Sequence, residues 1–230
     1  MADSDTAPVA PSPATGRLAL GATLLFLILL VTVVGLKRQM LGNLGFLRDE
    51  AYLNLVVSSH LVNHGFYGAA GEAVPATQDT LWRLLIAGCD WLCDDLSSAP
   101  YLLGAATGLL LLAAVLGLAR HVGRGSTYSA LAVLLAILGT GLPLDSMSGL
   151  ASVLAMLLMT LAFSLHVRSF HPGRSPLSLG SAFLLGLAAL VRVDFAAVWV
   201  ALALHAVVLS LAWRGPGRNA LVVLIRSLSG

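Results

Sequence analysis

LALGATLLFLILLVTVVGL, residues 18 to 36, runs straight into Lys37 and Arg38. A helix needs about 20 mostly apolar residues to cross a bilayer. The stretch exceeds a signal-peptide core and meets two cations where a small-residue cleavage site would stand. The reading is a retained first span. Four further apolar blocks follow, at 100–119, about 127–143, 149–167 and 177–213, the last broken by Arg192 and Asp194. Split at that break, the chain predicts six spans, an all-α polytopic transmembrane helix bundle.

Composition agrees. The 230 residues are 58% hydrophobic and 10% charged, with a mean hydropathy of +0.90, where an ordinary soluble domain is about 25% charged. That excludes a water-soluble fold and leaves little chain for a separate soluble domain. Residues 1–16, MADSDTAPVAPSPATG, lack apolar periodicity and read as a disordered tail. Residues 17–230 form the membrane domain, with 37–99 as a loop carrying interfacial helices. NALVVLIRSL, residues 219–228, starts another apolar segment too short to cross, so the chain reads as short at its C-terminus.

The net charge of +2 comes from scattered cations, not the block or stripe that nucleic acid requires. In six spans, Arg120 with Arg124, Arg168 with Arg174, and Arg214 with Arg218 share one side. The positive-inside rule makes that side cytoplasmic, together with the N-terminal tail. Residues 37–99, the 144–148 turn and the Arg192–Asp194 turn then face outward. Lys37, Arg38 and Arg48 weigh against this orientation. Of the 11 acids, only Asp3 and Asp5 fall inside.

Seven of those 11 acids lie in 37–99: Asp49, Glu50, Glu72, Asp79, Asp90, Asp94 and Asp95. DEAYLNLVVSSHLVNHG, 49–65, opens on two acids and closes on Gly65, the pattern of a helix with favourable N-terminal charge and a glycine stop. Tyr52, Leu55, Val56, Leu61 and Val62 give it an apolar face for the membrane surface. A carboxylate at this edge suits general-base work on an acceptor hydroxyl; the plainer role for Asp49 and Glu50 is to cap the helix. His60 and His64, one turn apart, read as solvated or substrate-facing, since no third metal ligand has suitable spacing. Cys89 and Cys93 read as packed thiols, not a disulfide or a zinc site. Asp90 and Asp94 end an interfacial helix facing water, and Trp82 and Trp91 suit an aromatic belt as well as a pocket.

The order of these pieces resembles the GT-C superfamily of membrane glycosyltransferases, which includes protein mannosyltransferase and arabinofuranosyltransferase-like enzymes. Their acidic pair after the first span, DDAY or DE, is matched by Asp49-Glu50-Ala51-Tyr52. His64-Gly65-Phe66-Tyr67 stands where their helix ends near H-G-aromatic. Gly71-Glu72-Ala73-Val74, followed by Leu81-Trp82, reproduces a G-E-x-V stretch closing on L-W. Ser148-Gly149-Leu150 is similar to the family's S-G-M-E-T turn without its acid, and Arg192-Val193-Asp194 to its R-P-D turn with valine for proline.

The resemblance implies inverting transfer of a sugar from a polyprenyl-phosphate carrier to an extracytoplasmic acceptor. It implies Asp49 as the base, Glu50 as its neighbour, and substrate contacts from Tyr52, His60, His64, Glu72, Trp82, Arg192 and Asp194. Arg192 would meet the lipid phosphate, which a guanidinium fork suits. No cofactor is fixed by this, and a divalent metal stays open. Membrane lipid is a partner, as is a second membrane subunit supplying further spans. The alternative is a non-catalytic subunit or lipid-binding bundle that keeps the architecture. An ion-coupled transporter is disfavoured because the predicted spans hold no acid or lysine outside the 192–194 break.

Overall fold

A computed structural model describes residues 13–41, 49–65, 68–69, 72–73, 79–93, 96–122, 126–168 and 179–214. These residues form an all-helical protein apart from one two-residue pairing. In order they are α1 (Pro13–Leu41), α2 (Asp49–His64), β1 (Gly68–Ala69), β2 (Glu72–Ala73), α3 (Thr80–Cys93), α4 (Ala99–Val122), α5 (Ser126–Leu134), α6 (Leu142–Ser146), α7 (Ser152–Arg168), α8 (Leu179–Val191) and α9 (Phe195–Arg214). β1 and β2 pair antiparallel, Gly68 opposite Ala73 and Ala69 opposite Glu72.

Helix α1 starts at Pro13, inside the 1–16 stretch read as tail. A proline suits a first turn, where its missing N–H has no bond to lose. Helix α2 spans the expected run, and Gly65 ends it with φ +68° while its N–H donates to the Leu61 carbonyl at 3.1 Å. A side chain at that angle would be strained, so glycine is the natural stop.

The block expected as one span at 127–143 is interrupted. After α5 the helix widens into a π-helical turn at Leu135–Gly139, and Gly141 turns left-handed at φ +66°. Pro143 then sits in the first turn of the separate short α6. The predicted break at 192–194 is present, between α8 and α9.

Two helices are long and apolar enough to cross a membrane, over Leu20–Lys37 and Ala99–Val122. The apolar helices at Tyr128–Gly139, Ser152–Arg168, Leu179–Val191 and Phe195–His205 are shorter. Leu20, Leu24, Leu27, Ile28 and Val31 are all exposed on α1, a stripe at helical spacing. Contiguous apolar surface of this kind belongs against lipid or a partner.

Two apolar clusters hold the helices together. Phe26 of α1 packs with Leu111, Leu112 and Leu116 of α4, Ile137, Leu142, and Val153 and Leu157 of α7. Trp82 and Ile86 of α3 pack with Ala99, with Ala151, Leu154 and Ala155 around the start of α7, and with Ala188 and Val191 of α8. Contacts therefore gather the C-terminal end of α1, the starts of α4 and α7, and the α8–α9 break at one end of the bundle, where α2 and α3 lie.

Candidate functional site

The candidate site is built at that end. Asn54 and Ser58 are fully buried on α2, while Tyr52, Val56 and Val62 of the same helix are exposed. The helix thus turns polar groups toward α3 and presents much of its apolar face outward. The buried groups are hydrogen-bonded, as buried polar groups must be. Arg83 Nε donates to Asn54 Oδ1 at 2.7 Å, and Asn54 Nδ2 donates to Asp79 Oδ2 at 3.3 Å. Ser58 Oγ stands 2.7 Å from the Asn54 carbonyl and 3.0 Å from the Arg83 carbonyl.

Asp79 is the hinge of this network. Its φ of +56° is the one positive value among the described non-glycine residues, a conformation in which Asp and Asn are enriched. Its N–H donates to the Val191 carbonyl at 2.9 Å, and its carbonyl accepts from the Arg83 N–H at 2.9 Å, opening α3. The α2–α3 pair is thereby fixed to the last residue of α8. Burial lifts the Asp79 carboxyl above the ordinary 3.8. The Asn54 bond and the Arg83 and Arg192 guanidiniums pull the other way, and the Glu50 carboxylate adds to the rise. Glu50, Asp79, Arg83 and Arg192 therefore share one electrostatic neighbourhood, drawn from α2, the start of α3 and the end of α8.

Two more contacts complete this end. Trp82, 1% exposed, donates its indole N–H to the Gly149 carbonyl at 3.0 Å. Lys37, 5% exposed, donates Nζ to the Met147 carbonyl and lies over the Tyr101 ring, 5.6 Å from its centroid. The 147–149 turn is tightened by Ser148, whose Oγ donates to the Asp145 carbonyl at 2.6 Å and accepts from the Leu150 N–H at 3.2 Å.

The expected site residues divide accordingly. Glu50 and Arg192 join Asp79, while Trp82 belongs to the core rather than to an aromatic belt. Trp91 is 78% exposed. Arg192 is exposed and holds Asp194 at 2.8 Å. Tyr52 is exposed and close enough to interact electrostatically with Tyr101.

His60 and His64 stack with ring centroids 5.1 Å apart, but at 1.5 Å per residue they lie about 15 and 21 Å along α2 from Glu50. They do not join the cluster. Asp49 opens α2 and Glu72 lies in β2, but their side chains are outside the described residues. Cys89 forms no disulfide among the described residues. Among the described residues no three His, Cys, Asp or Glu side chains gather to hold a metal.

Sequence reasoning missed Asp79, Asn54 and Arg83 as a unit. The available signal was Asn54, a polar residue among the apolar positions Leu53, Leu55, Val56 and Val57 of α2, with Arg83 four residues beyond an acid at a helix start.

The fold and site define a helical protein with membrane-spanning capacity and a polar junction at one end. No protein-family model, curated protein or solved structure matches the chain.

Proposed function

We propose that the chain is a membrane glycosyltransferase of GT-C type, crossing the bilayer six times with its N-terminus cytoplasmic and the α2–α3 junction outside. One observation carries this reading. The segments quoted for the resemblance lie far apart in sequence, yet Glu50, Trp82, the Ser148–Leu150 turn and Arg192 meet around Asp79 and the start of α7. Of the three cations adverse to this orientation, Lys37 is buried against the Met147 carbonyl rather than displayed in a loop, which supports the reading.

In the proposed reaction the Asp49 carboxylate takes the proton of an acceptor hydroxyl. The acceptor oxygen bonds to the sugar's anomeric carbon as the bond from that carbon to the carrier phosphate oxygen breaks. The electron pair leaves with the polyprenyl phosphate, and one displacement inverts the anomeric centre. Arg192 would receive the phosphate in exchange for its present partner Asp194, whose ion pair is exposed and therefore weak.

The test is sugar transfer by purified chain from polyprenyl-phosphate-linked donors, comparing wild type with Asp49→Asn. A positioned base contributes roughly 10²–10⁴-fold to rate. A loss of that size in a variant that melts like wild type is expected; unchanged transfer removes Asp49 from the mechanism.

A second reading is a non-catalytic subunit. Its favouring observation is that Asn54, Arg83, Asp79 and Arg192 all engage neighbours within the chain, as a structural clamp would. Stable co-purification with another membrane protein, and no turnover alone, would select it.

A further inference from the structure

At the other end of α7 stands a pair of titratable groups that the transferase reading does not use. His166, 4% exposed, and His205, exposed on α9, place Nε2 and Nδ1 3.2 Å apart. The ring centroids are 5.5 Å apart. That is close to the greatest separation two imidazoles joined by such a contact can reach, so the nitrogens meet head-on. A metal bridge needs both lone pairs to converge on an ion off that line, at about 2.0–2.1 Å from each nitrogen. No third metal-ligating side chain joins the pair among the described residues.

A neutral imidazole has one N–H donor and one bare acceptor nitrogen. The contact therefore carries a single proton, donated by one ring and accepted by the other. One extra proton can settle on an outward nitrogen and leave the bridge intact. A second puts N–H on both facing nitrogens, where donor meets donor and two cations adjoin, one of them on the buried His166.

Among the described residues the titratable groups on the elements around the pair are few. Helix α8 has no titratable side chain; α4 ends in Arg120 and His121, and α7 itself in Arg168. The remaining titratable groups on neighbouring elements, Tyr101 of α4 and Asp145 of α6, stand at the opposite end beside the 147–149 turn.

We propose that the His166–His205 bond is a proton-operated latch that ties α9 to α7 at neutral pH and releases it when both imidazoles are charged. Helix α9 packs chiefly on α8, so releasing the bond lets its far end move away from α7 about the 192–194 break while the contact with α8 is kept. The latch is independent of the transferase reading.

The experiment uses the full chain in phosphatidylcholine vesicles, with Cys89→Ser and Cys93→Ser and spin labels at Phe163→Cys and Leu204→Cys, positions exposed on α7 and α9. Distances are measured at about pH 8 and about pH 4, the lower value well below the ordinary imidazole value of about 6.5 because the second proton is added beside an existing cation. The expected result is loss of the short-distance population at the lower pH. His205→Gln, which keeps a neutral hydrogen-bonding side chain, should hold the short distance at both. An unchanged distance in the wild-type pair, or an equal change in the glutamine variant, overturns the proposal. So does a short distance at pH 8 that disappears with a chelator and returns with Zn²⁺, because a metal would then be the bridge.

Discussion

At the scale of single residues, Asp79 shows how a site conflicts with stability. A carboxyl whose folded value is raised binds its proton more tightly folded than unfolded. Its stabilising contribution is complete below 3.8 and is lost as pH rises through the folded value. At neutral pH the ionised group therefore weakens the junction it organises. Asp79→Asn tolerates the positive φ and can still accept from Asn54 through its amide oxygen. The variant is expected to melt above wild type at pH 7, with the gap closing as pH approaches 4. A variant less stable than wild type at every pH would mean that the charge itself holds the junction.

At the scale of elements, the α4 face that receives the 141–149 turn depends on two glycines. A Cβ on Gly104 would lie 1.9 Å from the Ser146 carbonyl oxygen. One on Gly108 would lie 2.6 Å from Ser146 Oγ and 2.7 Å from Phe26 Cζ. The first contact is with backbone, which cannot swing aside. Gly104→Ala must therefore push α6 off α4, at a cost of about 1–3 kcal/mol typical of overpacking, read as a lower melting temperature in detergent. Gly117→Ala, on the same helix with nothing near its Cβ, is the control and should melt like wild type or slightly higher. Equal melting of Gly104→Ala and Gly117→Ala would refute the close α4–α6 approach.

At the scale of the whole molecule, the proposal of six crossings makes a sidedness claim. Asn63 on α2 and Arg168 at the end of α7 are both exposed. In a cysteine-free background, Asn63→Cys is expected to react with an impermeant thiol reagent on intact cells. Arg168→Cys should react only after permeabilisation. The reverse pattern would put the α2 junction in the cytosol and end the transferase reading, since no extracytoplasmic acceptor could reach it.

The sequence alone determined several helices and some of their ends. Apolar length marked α1 and α4, the acid pair and Gly65 bounded α2, and Arg192 with Asp194 divided α8 from α9, because each signal is local in the chain. It did not determine the fate of 127–143, where hydropathy is continuous while Gly141 and Pro143 redirect the backbone. Nor did it separate Glu50 and Arg192, which join the candidate site, from His60 and His64, which sit on α2 with Glu50 but too far along it. Asp79, Trp82 and Lys37 took their partners across 25 to 112 residues of chain. Those pairings are fixed by how helices pack around two apolar clusters, and no periodicity or spacing along the chain encodes them.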